Sequence, residues 1–225
     1  MNVDDRKKQA AHVVAALERE YPDAICSLDY ERPYELLISV RLAAQCTDAR
    51  VNIVTQELFE KYRSLNDFAD ANPKNVEEIV RPCGLGPSKA RDIVNMSRLI
   101  LDRHEGRVPD TMDELLALPG VGRKTANLIL GDVYGQPAIV CDTHCIRING
   151  LLGLSSSKNP LIVERQLREV LDPAKSNDYC HRLVLHGRAV CRARAPKCDT
   201  CCLAQYCDSN HRFQQDGRLH PPPVG

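Results

Sequence analysis

The sequence predicts an almost entirely α-helical protein, on three observations. Apolar residues recur every three or four positions through most of the chain, as in Ala10, Val13, Val14, Leu17 and Tyr21. Helix-start signals stand ahead of these stripes, among them Thr111 with Glu114 three residues on, Thr47-Asp48, and Asn159-Pro160. Tryptophan is absent and β-branched runs are short, which leaves little material for a β-rich fold.

The first helix is predicted over 4–21 and ends near Pro22. Residues 34–45 are apolar nearly all round, which predicts a buried central helix with Gln45 at its end. The next stripe is Val51, Val54, Leu58 and Tyr62, and short helices are expected at 65–70 and 74–80. A turn through Gly84-Leu85-Gly86 leads into a helix bearing Ile93, Val94, Ser97 and Leu101, which stops at Gly106. One further helix starts at Thr111, and another carries Ala126, Ile129, Leu130 and Val133 to Gly135. Beyond an extended Pro137–Val140, helix starts are expected at Asp142, at Asn159-Pro160, and at Ser176 or Asn177. The tail from 212 on is polar, ends Pro-Pro-Pro-Val-Gly and is expected to be disordered.

At 225 residues the chain holds one large or two small domains, with 43% hydrophobic and 27% charged residues, as in ordinary globular proteins. Its formal net charge is zero, which argues against a generic polyanion binder but not against a basic face. Arg182, Arg188, Arg192, Arg194 and Lys197 fall between Tyr179 and Cys198 with no acidic residue among them, a distribution suited to phosphates. The start of the sequence lacks a basic segment and apolar core, and no apolar run is long enough for a bilayer, so a cytoplasmic protein without a membrane role is expected. Thiols stay reduced there, so the eleven cysteines are not read as a disulfide framework.

Residues 118–126, Leu-Pro-Gly-Val-Gly-Arg-Lys-Thr-Ala, form a tight turn between two helical stripes. Gly120 and Gly122, flanking Val121, free the backbone to turn and leave N–H groups without a covering side chain. Those groups lie at a helix N-terminus, where a phosphate is favoured. An ordinary helix–helix turn that merely needs glycines would read the same way. Near the C-terminus, Cys191, Cys198, Cys201 and Cys207 are spaced C-x6-C-x2-C-x5-C, and four soft thiolates in a short loop-rich segment imply a metal centre. Zinc and a [4Fe–4S] cluster both satisfy that chemistry.

Taken together, the hairpin at 118–126, Asp142 and the four-cysteine segment resemble the endonuclease III family of DNA glycosylases and abasic-site lyases, with the helix-hairpin-helix motif. The resemblance runs from about residue 8 to 210 and includes Leu-Ala-Ala-Gln-Cys-Thr-Asp at 42–48, Gly-Leu-Gly-Pro-Ser-Lys-Ala at 84–90, Val-Cys-Asp-Thr-His at 140–144 and Leu-His-Gly-Arg at 185–188. It implies two helical domains with a DNA-binding cleft between them. One is a six-helix domain over 26–136; the other joins 1–25 to 137–211 and carries the [4Fe–4S] cluster on the four cysteines. It implies a monomer that acts on duplex DNA with a damaged base or an abasic site, in the cytoplasm at the nucleoid.

By the same resemblance Lys124 is the catalytic lysine. A neutral amine can displace a damaged base at the anomeric carbon and form an imine with the opened sugar, and β-elimination then cuts the strand on the 3′ side. Asp142 is the catalytic aspartate, which stabilises positive charge on the sugar and assists proton movement, while its position also suits a helix N-cap. Extruding a nucleotide leaves a gap, for which the resemblance nominates Gln45, with Leu85 as a wedge against the opposite strand. Gly120, Val121, Gly122, Arg123 and His144 are expected at the DNA, as are Arg192, Arg194 and Lys197 of the loop between the first two cysteines. Cys46, Cys83, Cys141 and Cys145 depart from the small or apolar residues expected in these motifs and are read as packing, and Cys202 as a spectator.

The activity this implies is a bifunctional glycosylase and lyase for oxidised pyrimidines in base excision repair. Adenine- or thymine-mismatch relatives typically lack a lysine at the position of Lys124. A pyrimidine-dimer glycosylase would share Lys124, Asp142 and the cysteines. A non-catalytic helix-hairpin-helix DNA-binding protein would need neither Lys124 nor Asp142.

Overall fold

The computed structural model describes residues 2–215, and helices with connecting turns account for all its regular structure. In order, the helices are α1 Val3–Glu20, α2 Pro33–Ala43, α3 Asp48–Lys61, α4 Leu65–Asp70, α5 Pro73–Val80, α6 Gly86–His104, α7 Met112–Leu116, α8 Arg123–Asp132, α9 Thr143–Leu152, α10 Pro160–Val170, α11 Ser176–Ala189 and α12 Asp208–Gln215. Among the described residues there is no β-strand and no helix long and apolar enough to cross a membrane. Helix α12 extends into the stretch from 212 expected to be disordered, and the remainder of that tail, 216–225, lies outside the described residues.

The chain divides into two compact units. One is continuous, Cys26–Gly135; the other joins Met1–Ile25 to the residues from Gln136 on. Within the continuous unit α2 is the core element. Leu36, Leu37, Ile38, Ser39 and Leu42 are all fully buried, which follows from its apolar residues lying all round the helix. Glu35 is buried as well and is held by Arg32, whose Nε lies 2.9 Å from Oε1, and by the amides of Glu31 and Arg32. Helix α6 packs against α4 and α5, and α7 pairs with α8 across the hairpin. Phe68 anchors an aromatic cluster, stacked 5.1 Å from Tyr62 and edge-on to Tyr34 and Phe59.

In the second unit α1 packs on α10 and α11, and α11 on α9. Buried Tyr179 donates its hydroxyl to Asn149 Oδ1 at 2.6 Å, and Asn149 Nδ2 reaches the Cys145 carbonyl at 2.8 Å, so α11 is fixed to α9 by polar as well as apolar contacts. Helix α1 also grips the C-terminal segment. Gln9 Nε2 donates to the carbonyls of Leu152 and Tyr206, each at 2.7 Å, and His12 stacks on the Tyr206 ring. Arg182, counted above among the phosphate-facing cations, is instead buried. Its Nε donates to the Tyr21 carbonyl at 3.2 Å, and its guanidinium lies 3.6 Å from Glu18 and 3.5 Å from Asp178.

Phe68→Ala removes a ring with no exposed surface and leaves a cavity among three aromatic neighbours. We predict a loss of about 3–5 kcal/mol in the stability of the continuous unit, read as a lowered urea midpoint, while Ile53→Ala on the exposed face of α3 shifts it by less than about 0.5 kcal/mol.

Candidate nucleic-acid interface

Most helices of the chain begin under a side-chain cap. Asn2, Thr47, Ser64, Asn72, Thr111, Asp142 and Asn159 each accept a first-turn amide of the helix they open. Helices α6 and α8 are among those that do not. They start at Leu85 and Gly122, neither of which supplies a cap, and both follow a Gly-x-Gly turn. A helix that opens without a cap presents amide donors and the positive end of its dipole to whatever anion meets it.

The hairpin before α8 is closed by Val121 N donating to the Leu118 carbonyl at 3.2 Å. Val121 is buried, whereas Gly122, Arg123 and Lys124 are exposed, so the hairpin is pinned at one side and open at the other. Gly120 takes φ +75°, and a Cβ there would lie 2.6 Å from Arg41 Nε and 2.9 Å from Asp92 Oδ2. Arg41 comes from α2 and Asp92 from α6. Their ion pair closes at 2.7–2.8 Å, and Arg41 also reaches Ser88 Oγ at 3.2 Å. Gly120 therefore rests directly on a half-buried ion pair that ties two helices of the core. Lys124 follows as the second residue of α8.

Gln45 is not the last residue of α2, as the apolar pattern predicted. Helix α2 stops at Ala43, and Gln45 stands exposed in the left-handed region at φ +59°. Leu85 does the same at φ +53°, with 54% of its surface exposed. Left-handed backbone is disfavoured for side chains like these, and such residues cluster where a site over-determines them. The two residues nominated as gap filler and wedge are thus both held out on strained backbone.

In the other unit Asp142 caps α9, accepting the Cys145 amide on Oδ1 at 2.7 Å, so the carboxylate has a fixed position. His144, two residues on, lies against Gly187 so closely that a Cβ on that glycine would fall 2.2 Å from Nδ1. That contact explains the glycine of Leu-His-Gly-Arg. Arg147 Nη2 lies 3.4 Å from His144 Nδ1 and also donates to the Cys191 carbonyl, linking α9 to the four-cysteine segment. Cys141, Cys145 and Cys83 are buried, as packing residues would be.

Cys191, Cys198, Cys201 and Cys207 together border one small cavity of about 40 Å³, whose wall includes Leu151, Val190 and Pro196. Among the described residues no three thiol, imidazole or carboxylate groups stand in the arrangement of a ready-made single-ion site. Burial pushes the Cys191 thiol up to about 11 and raises Cys198 and Cys201 as well, so binding a thiophilic metal here means displacing protons. Between the first two cysteines, Arg192 and Lys197 both donate their amides to the Val190 carbonyl, at 2.9 and 3.0 Å, which closes the base of the loop. Arg192, Arg194 and Lys197 are all exposed on it.

His186 was not singled out by spacing alone. It is buried behind the cysteines, with Nε2 3.5 Å from Cys201 Sγ and Nδ1 3.2 Å from Tyr21 Oη. Burial, and then Arg147, pushes its pKa down to about 4, while burial pushes Tyr21 up to about 12, so the ring is neutral and the phenol protonated. Its signal in the sequence is Leu-His-Gly-Arg one helical turn ahead of Cys191.

The model of the HhH-GPD superfamily, base excision DNA repair proteins, matches residues 38–173. The chain is 40% identical over 205 residues to an endonuclease III of Synechocystis sp., covering 91% of this chain and 94% of that one. It is 36% identical to the Escherichia coli K12 endonuclease III, covering 90% and 96%. A solved structure of a trapped endonuclease III–DNA covalent intermediate superposes with a TM-score of 0.86 at 39% identity, over 92% of this chain and 98% of that one.

The two glycines of the hairpin separate close approach from open access. Gly120→Ala meets both the left-handed φ and the Arg41 side chain, and we predict a stability loss of about 1–3 kcal/mol with at least tenfold weaker duplex binding. Gly122, at φ −103° with nothing within 4 Å of an added Cβ, tolerates alanine to within about 0.5 kcal/mol in thermal unfolding.

Proposed function

This chain belongs to the HhH-GPD superfamily of base excision DNA repair proteins, and from that premise we propose that it is a bifunctional DNA glycosylase and abasic-site lyase that removes oxidised pyrimidines from duplex DNA. The observation that carries the reading is Lys124, exposed at the second position of a helix whose first turn has no side-chain cap and whose hairpin is seated on the core. It acts as a single chain on DNA in the cytoplasm, at the nucleoid.

Gly120 and Gly122 present backbone amides to a phosphate of the damaged strand, with Arg123 beside them, while Val121, its own amide spent on the Leu118 carbonyl, holds the turn in shape. That grip fixes the sugar relative to α8 and so presents the Lys124 amine to the anomeric carbon. The Nζ lone pair attacks, the damaged base leaves with the glycosidic electron pair, and the sugar ring opens to an imine on Nζ. The imine acidifies the neighbouring carbon; loss of its proton expels the 3′ phosphate and cuts the strand on that side. Asp142 supplies a carboxylate for the positive charge that builds on the sugar and helps move protons during imine formation, and its cap to Cys145 N holds it ready at no cost in ordering. Gln45 fills the space left by the extruded nucleotide, Leu85 presses on the opposite strand, and His144 meets DNA near Asp142.

Cys191, Cys198, Cys201 and Cys207 would hold the [4Fe–4S] cluster. Four soft donors around one cavity, with a neutral imidazole at hydrogen-bond distance of one sulfur, are a donor set that fits it. When bound, the cluster supplies four thiolate bonds that fix the segment 191–207. With Cys201 as a thiolate, only one arrangement of the pair behind it closes: Tyr21 donates its O–H to His186 Nδ1, and Nε2–H donates to sulfur. Arg192, Arg194 and Lys197 are then carried on a stiff loop against the DNA backbone.

Borohydride reduction during turnover on a thymine-glycol duplex should give a covalent protein–DNA adduct that Lys124→Ala abolishes, and absence of the adduct from the parent chain would refute the imine. Asp142→Asn keeps an oxygen for the cap, so we predict parent-like unfolding with turnover slowed about 10²-fold or more. Elemental analysis should return four iron and four sulfide per chain; stoichiometric zinc without iron contradicts the cluster.

A further inference from the structure

Lys89, at the start of α6, has no exposed surface at all. Its Nζ donates to the carbonyls of Leu42, Ala44 and Cys83, each at 2.8 Å. An ammonium has three donors, and all three are spent on main-chain oxygens. Burying a charge in this way is costly unless each hydrogen finds an acceptor, and charge-assisted bonds of this length are strong ones. The acceptors bracket the two strained residues. Leu42 and Ala44 lie just before Gln45, and Cys83 precedes the Gly84-Leu85 tip. The Cys46 thiol neighbours that of Cys83 across the same gap, and burial first, then this neighbour, pushes Cys83 up to about 11. Neither tip supplies a side-chain cap of its own at its helix: Leu85 makes none, and Gln45 lies between the end of α2 and the Thr47 cap of α3.

We infer that Lys89 is a positioning residue that fastens the Gln45 and Leu85 loops to each other, so that gap filler and wedge enter damaged DNA as one preorganised pair; this rests on the function proposed above. Two loop tips that moved independently would each lose conformational freedom at insertion, and the extruded state would be populated less. One cation bonded to both loops removes that cost before DNA arrives. The same reasoning says where Lys89 matters. It matters where a base must be pushed out of a stack and its place filled, and not where the lesion has neither partner strand nor stacked duplex.

Lys89→Met, of similar length but with no donor, tests this in the full iron-loaded chain. Two substrates are compared. One is a thymine-glycol duplex with 2-aminopurine beside the lesion, which reports extrusion by fluorescence. The other is a single strand with an abasic site, scored by borohydride trapping. We expect Lys89→Met to slow base removal from the duplex at least tenfold and to reduce the fluorescence rise, with trapping on the single strand within twofold of the parent. Equal losses on both substrates, or no loss on the duplex, would overturn the inference. Should Lys89→Met differ from the parent in circular dichroism or iron content, Lys89→Gln, whose amide keeps two donors, must show the same duplex-selective loss at smaller size. A parent chain that traps on neither substrate overturns the glycosylase–lyase function itself, a result separate from a working parent with an indifferent Lys89.

Discussion

The geometry of the continuous unit depends on the ion pair between Arg41 and Asp92. It joins the central helix to the helix behind the Leu85 turn, and the hairpin glycine sits on it with no room for a methyl group. Most of this pair's surface is withdrawn from water, with side chains 12% and 23% exposed, so it is less screened than a surface pair. Removing one partner would leave the other charge half-buried and unmatched as well as unseating the hairpin. Gly120 and Ser88 meet Arg41 directly, and Lys89, next to Ser88, bonds the carbonyl of Leu42, next to Arg41, so the hairpin, the Leu85 turn and the start of α8 share one foundation. A reaction that needs an amine placed against one carbon of a sugar benefits from a foundation that does not flex.

The other unit shows the same economy with different chemistry. Asp142 serves as a helix cap before it serves as anything else, and the cap is what aims it. Arg147 connects His144, two residues on, to the main chain of the first cysteine, and His186 stands between Tyr21 and the third. Polar contacts of this kind convert a four-cysteine segment into a loop of defined shape, on which three exposed cations are displayed.

Much of this was readable in the sequence, because local signals govern helix starts. Thr111 with Glu114, Thr47 and Asp142 all cap the helices expected of them, and the apolar run 34–45 is a buried helix as far as Ala43. What could not be read was set by partners far away in the chain. Helical periodicity carried Gln45 to the end of α2, whereas the chain leaves the helix at Ala43, and two carbonyls there are taken by Lys89 from α6. Arg182 fits a basic stretch by position, yet Glu18 of the first helix and the Tyr21 carbonyl draw it inward. Gly120 read as a residue needed for a turn, and it is also a residue needed for close approach to Arg41. No short-range rule holds that information.

The central claim is that the Lys124 amine is the group that becomes covalently attached to the opened sugar. Mass spectrometry of the borohydride-reduced complex, after nuclease and protease digestion, reads that attachment directly. The account predicts the reduced sugar remnant on the peptide containing Lys124, with fragment ions placing it on that residue. A remnant on another lysine or on the N-terminal amine, with Lys124 unmodified, would contradict it.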